Sequence, residues 1–169
     1  MLGSDPAGPA ELDAEVYDAL IDAGASSSDT VYVADSTLRF EPPTGPSTVP
    51  SFRAALDALP AGLLAKLAEV SATRRAMRPL ALRRPMRLFS EHAARRPRDA
   101  TTVDDRRLPR AGDRIVALSP VARSADGQHA LVYYEASCGP RCSSASLAWL
   151  ARETSGRWKV RRTVLFWIT

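Results

Sequence analysis

This 169-residue chain has only two cysteines, two histidines and two lysines. A zinc site takes four protein ligands, or three and a water. His129 and the cysteine pair Cys138 and Cys142 do not supply such a set. If residues 129–137 are extended, His129 lies about 26 Å from the pair, at about 3.3 Å per residue. His92 belongs to a different region, and no metal or other cofactor is expected. No apolar run approaches the roughly 18 residues of a membrane-spanning helix, so no transmembrane segment is expected either. The opening MLGSDPAGPAELDAE is acidic and polar, unlike the basic and then apolar start of a signal peptide.

What the chain does have is arginine, 21 of its 23 basic residues. Residues 1–73 hold 3 basic and 11 acidic side chains, a balance of −8. Residues 74–110 hold 12 arginines and 4 acids, a balance of +8, and residues 111–169 hold 8 and 4, a balance of +4. The stretch Arg74–Arg110 could bind a polyanion, because guanidinium groups chelate phosphate. It lacks interleaved aromatics other than Phe89, and it has no glycine loop. The alternative is that the acidic and basic thirds face each other.

The pattern reads as one domain over 1–169. Residues 1–28 are an N-terminal helix and loop, 29–110 a mixed helical and Arg/Pro-rich segment, and 111–169 an antiparallel meander. Leu12, Val16 and Leu20 make a helical stripe from Pro9, and Gly24 ends it. "TVYVADSTLRF" is β-branched and aromatic and reads as a strand. Helices follow, one capped by Ser51 and one carrying Leu63, Leu64, Leu67 and Val70. "RPMRLFS" reads as a short strand, "SEHAARR" as a short helix, and 97–112 as a loop. The last third gives four strands, "RIVALSPVAR", "QHALVYYEAS", "SASLAWLARE" and "RWKVRRTVLFWI". Turn-like links join them: "SADG", "CGPRC" and "TSG". In the last strand Trp158, Val160, Val164, Phe166 and Ile168 share a face, with Arg162 out of pattern. The expected fold is α+β: N-terminal helices packed on a C-terminal four- to five-stranded antiparallel meander sheet.

Within Leu118–Ile168, the residues Leu118, Ser119, Asp126, Gly127, Ala130, Leu131, Val132, Tyr133, Cys138, Gly139, Cys142, Gly156, Trp158, Val160 and Trp167 form a pattern. It resembles a family of bacterial proteins of unknown function, often exported. That family pairs Ala-Leu-Val-Tyr with Cys-Gly-x-x-Cys, then Gly-x-Trp-x-Val and a closing aromatic strand. Ser143 and Ser144 stand where it usually has glycine. The resemblance implies the fold and export, and no reaction. A fainter likeness is to cone-shaped domains of the nuclear-transport-factor-two type, which host enzymes and non-enzymes alike.

"CGPRC" admits three roles. In thioredoxin-like enzymes a helix N-terminus activates the first thiol; here two strands flank the motif. A metal would need further ligands. A hairpin disulfide between Cys138 and Cys142 fits the position best. Asp35, Ser36 and Thr37 lack a histidine to complete a triad and read as a turn or strand-end cap. Tyr133, Tyr134, Trp149, Trp158 and Trp167 could line a pocket or simply fill the core. The expectation is therefore a non-catalytic, exported binding or interaction domain with no catalytic residues and one stapled hairpin. Two alternatives are a small enzyme or ligand-binding cone with its pocket lined by sheet aromatics, and a weak polyanion or nucleic-acid binder through Arg74–Arg110. The partner, unidentified by sequence, is expected to be a protein or small molecule rather than nucleic acid. The location is expected to be periplasmic or extracellular with the leader absent from this chain, and a cytoplasmic one stays open.

Overall fold

The computed structural model describes residues 9–25, 30–42, 50–90, 113–137 and 142–168. Helix α1 (Pro9–Leu20) runs into one π-helical turn (Ile21–Ala25) at Gly24. Strand β1 is Val31–Ala34; helices α2 (Pro50–Asp57) and α3 (Leu63–Val70) follow, then β2 (Met86–Phe89). The last third holds β3 (Ile115–Leu118), β4 (Ala122–Arg123), β5 (His129–Ser137), β6 (Ser143–Arg152) and β7 (Trp158–Ile168). No described helix is long and apolar enough to cross a membrane. The expected helix after Ser90 and the loop 97–112 fall outside the described residues. The helix expected to be capped by Ser51 begins one residue earlier, at Pro50; a proline suits a first helical turn, whose N–H has no partner within the helix.

The α+β class holds, but the four- to five-stranded antiparallel meander does not. The sheet is mixed and has seven strands, in the order β2-β1-β3-β5-β6-β7 with β4 beside β5. The difference comes from β1 and β2, which belong to the segment read as mixed helical and Arg/Pro-rich. β1 lies between β2 and β3 and is parallel to both, Val31 opposite Met86 and Tyr32 opposite Ile115. Parallel neighbours need a long crossover, which the helical and irregular chain between them provides. Adjacency of this kind is invisible to a reading of local turns. β3 and β4 are one strand interrupted at Ser119–Val121: Leu118 faces Tyr134, while Ala122 faces Leu131.

Helices cover both faces of the sheet. On one face Val16, Tyr17, Leu20 and Ile21 of α1 and its π turn pack on Val31, Val33, Val116, Val132, Leu150 and Trp158. On the other, Leu59 and Leu63 and Leu67 of α3 pack with Phe40 on Ala122, Leu131, Leu147 and Val164. The chain reaches that second face from the end of β1, where the Leu38 N–H donates to Leu118 O at 2.8 Å. Ser71 ties the end of α3 to it, donating to Leu67 O at 2.6 Å and accepting from the Phe40 N–H at 3.1 Å.

Two register shifts in the β6–β7 pair explain why Arg162 breaks the alternation of the last strand. Leu150 faces Val160, but Trp149 faces Arg162; Ser146 faces Leu165, but Ala145 faces Trp167. Each shift inserts one residue, Arg161 and then Phe166, and one extra residue turns the following side chains to the opposite face. The expectation of a single shared face is thereby corrected: Trp158 and Val160 belong to the α1 face, Val164 and Phe166 to the α3 face. β7 also forms an edge of the sheet. Trp158 is nonetheless only 7% exposed, between the guanidinium groups of Arg123 at 5.3 Å and Arg152 at 5.2 Å from its ring centre. Trp158→Ala is expected to destabilise the fold by about 3–5 kcal/mol, the cost of emptying a buried aromatic site, as measured by urea unfolding.

Candidate functional site

Three places gather side chains capable of recognition or chemistry. The first lies under α1. Arg123 pairs with Asp13 at 3.4 Å and Arg152 with Glu15 at 3.4 Å. Tyr17 donates to Ser119 O at 2.9 Å, and the Ser119 hydroxyl accepts from the Tyr133 N–H at 2.9 Å. Burial holds the Asp13 carboxyl above its ordinary range against the pull of Arg123. Burial, then the charge of Asp13, pushes the Tyr17 phenol well up. At neutral pH that phenol is a fixed donor closing the interruption between β3 and β4. Here charges from opposite ends of the sequence neutralise one another. The same holds at the end of α1, where Arg83 meets Asp22 at 3.2 Å and its N–H donates to Asp18 at 2.9 Å, and Arg84 meets Asp22 at 3.6 Å.

The second place is aromatic. Phe40, Phe52, Tyr133 and Phe166 pack ring against ring on the α3 face, with centroids 5.1–5.9 Å apart. Tyr133 donates to Glu135 at 3.1 Å. Burial, and next the Glu135 carboxylate, pushes the Tyr133 phenol up to about 12. Nearby, Trp149 donates to His129 Nδ1 at 3.3 Å.

The third place is the free edge of β7. Leu165 is 51% exposed, Trp167 41% and Ile168 72%. Earlier in the same strand, Lys159, Arg161 and Arg162 are exposed. Lys159 pairs with Glu153 at 3.5 Å, and no ion pair engages Arg161 or Arg162 among the described residues.

The five aromatics that could have lined one pocket do not converge. The sheet separates Tyr134 and Trp158 on the α1 face from Tyr133 and Trp149 on the other, because neighbours along a strand point opposite ways. "ADST" fastens backbone to backbone. Asp35 O accepts from the Met77 N–H at 2.8 Å, and Thr37 Oγ1 accepts from the Arg75 N–H at 2.9 Å. This pins the arginine-rich chain to the end of β1. Among the described residues, no three His, Cys, Asp or Glu side chains group closely enough to hold a metal ion. His92 and Cys138 lie outside the described residues; Cys142 is exposed at the start of β6 and is not a free thiol. The pairs of Asp13, Glu15 and Tyr17 escaped sequence reading, since their partners are 102 to 137 residues away. Arg161 and Arg162, without an ion pair among the described residues, had one visible sign, the failure of alternation at Arg162.

No protein-family model, curated protein or solved structure matches this chain.

Tyr133 gives a direct check on the aromatic site. Its raised pKa means that the stability supplied by the neutral phenol is complete below pH 10 and is lost as pH climbs towards 12. Glu135→Gln is expected to lower the midpoint only part of the way, because burial, the larger cause, remains. The alkaline absorbance difference between the wild type and Tyr133→Phe reports it. A midpoint unmoved by Glu135→Gln would remove the carboxylate from this account.

Proposed function

We propose that this chain is a non-catalytic, exported binding domain whose contact surface is the free edge of β7 and whose β5–β6 hairpin is stapled by Cys138 and Cys142. One observation carries the reading: Leu165, Trp167 and Ile168 are exposed together at the end of an edge strand, and among the described residues the only other exposed large apolar side chain is Leu88. Exposed apolar groups concentrated at one place mark an interaction surface. The polyanion alternative loses ground because Arg83 and Arg84 turn to Asp22, in the turn that follows α1.

The β5–β6 register supports the staple. Its pairs run outward from His129 opposite Ala151 to Ser137 opposite Ser143, with the Ser143 hydroxyl donating to that of Ser137 at 2.9 Å. In the sequence Cys138 directly follows Ser137 and Cys142 directly precedes Ser143, at the two ends of the link between these strands. A bond there closes a very short loop, worth about 2 kcal/mol on the chain-entropy account, and it persists in an oxidising compartment. That compartment agrees with export, as the C-terminal resemblance implies. The non-reduced protein should titrate no free thiol. Cys138→Ser with Cys142→Ser should lower stability by about 2 kcal/mol and leave the circular dichroism unchanged. Two titratable thiols in protein isolated from its own compartment would end the proposal.

The contact surface is tested by panning the intact protein against phage-displayed random peptides. Binders are expected to compete with one another and to lose binding to the triple variant Leu165→Ser, Trp167→Ser, Ile168→Ser. That variant should keep the wild-type circular dichroism and a cooperative urea transition, since the three side chains stand at the partly exposed end of an edge strand. Binders indifferent to the triple variant would place the contact surface elsewhere.

A further inference from the structure

We infer that the free edge of β7 takes an acidic, extended peptide segment and adds it to the sheet as another strand. The inference rests on the interaction reading above and names the chemistry of the partner.

The two edges of the sheet differ. β2 has four residues, whereas β7 has eleven and pairs only with β6 among the described residues. An unpaired strand of that length presents a row of backbone donors and acceptors, and main-chain pairing by an incoming strand is a common way to satisfy them. Side chains then set the specificity. Leu165 is opposite Ser146 and Ile168 opposite Ser144, whereas Trp167 is opposite Ala145. The exposed apolar groups therefore stand on both faces of the edge, where a strand with alternating side chains would meet both. With 41% of its surface exposed, Trp167 is already more than half covered by the protein, which limits that ring's freedom before any partner arrives. An aromatic held in place loses little freedom on binding, which suits it to anchor a contact.

Charge selects the occupant. Arg157, Lys159, Arg161 and Arg162 are exposed, and β7 itself carries no acid. A second copy added antiparallel about Arg162 would set arginine against arginine, and like charges directly opposite are unfavourable. The two inserted residues of β7 add twist, a feature that works against edge-to-edge stacking of copies. Among the described side chains, Asp13, Glu15 and Asp22, which could have answered this charge, are engaged with Arg123, Arg152, Arg83 and Arg84. The complement is thus a carboxylate-rich strand with apolar residues at the end that meets Leu165 to Ile168.

The probe is a fluorescein-labelled peptide of about ten residues, a long strand's length. One half alternates valine with threonine, the other valine with glutamate. Anisotropy should show binding to the full chain that weakens between about 0.05 M and about 0.5 M salt, as screened charge requires. The double variant Arg161→Glu, Arg162→Glu should bind about tenfold more weakly, the sum of two exposed pairs reversed. A peptide N-methylated on alternate residues should not bind when the methyl groups face the edge. Equal binding of a lysine-for-glutamate peptide would overturn the acidic assignment, and equal binding of both N-methylated registers would overturn strand addition. So would a wild-type dimer in sedimentation that Trp167→Ser dissolves, which would make a second copy the occupant. If uncharged peptides shift the β7 amide resonances and acidic ones do not, only this inference falls. If no peptide shifts them, the interaction reading falls with it.

Discussion

The middle of the sheet is buried on both faces. Val33 and Val116 point one way and Leu131 and Leu147 the other, all inaccessible to solvent. A strand in that position gains burial on each side, at about 25 cal/mol per Å² of apolar surface removed from water. It does so only if a cover is supplied twice. The covers come from the N-terminal half of the chain, α1 on one face and Phe40 with α3 on the other. The segment after β1 has to cross from one face to the other, which accounts for its extended path and its bond from Leu38 to Leu118.

Electrostatics follow from this wrapping. Folding brings the acidic first third over the basic remainder, so that Asp13, Glu15, Asp18 and Asp22 each meet an arginine. Most of these pairs are partly solvated, and exposed pairs contribute little each to stability. Their effect is on distribution: the arginines they engage are drawn towards α1. The exposed positive charge along β7 remains outside this compensation.

Local structure was largely legible in the residues. The leucine and valine stripe of α1, the β-branched run at Val31 and the alternation from His129 to Arg152 each reflect the period of a single element. Pairing between distant elements was not. Nothing local in "RPMRLF" or "TVYVAD" says that Met86 will lie beside Val31, or that Ile115 will close the other side. The candidate site was half legible. Trp167 stood among the noted aromatics, but alternation placed it on the face opposite Phe166. Two inserted residues undid that parity, and Arg162 was their trace in the sequence.

The insertion of β1 between two strands from later in the chain also sets an order of events. β1 finds its first neighbour 55 residues downstream and its second 83 residues downstream. Long-range parallel pairing is slow, since loop closure is unfavourable until contacts repay it. A chain emerging from the ribosome therefore holds Val31, Tyr32 and Val33 without a complete seat until β3 has appeared. The antiparallel run from β3 to β7 contains the shorter-range pairings and can form first, with β1 and α1 docking onto it afterwards. The pairing distances thus favour assembly from the carboxyl end, against the direction of synthesis.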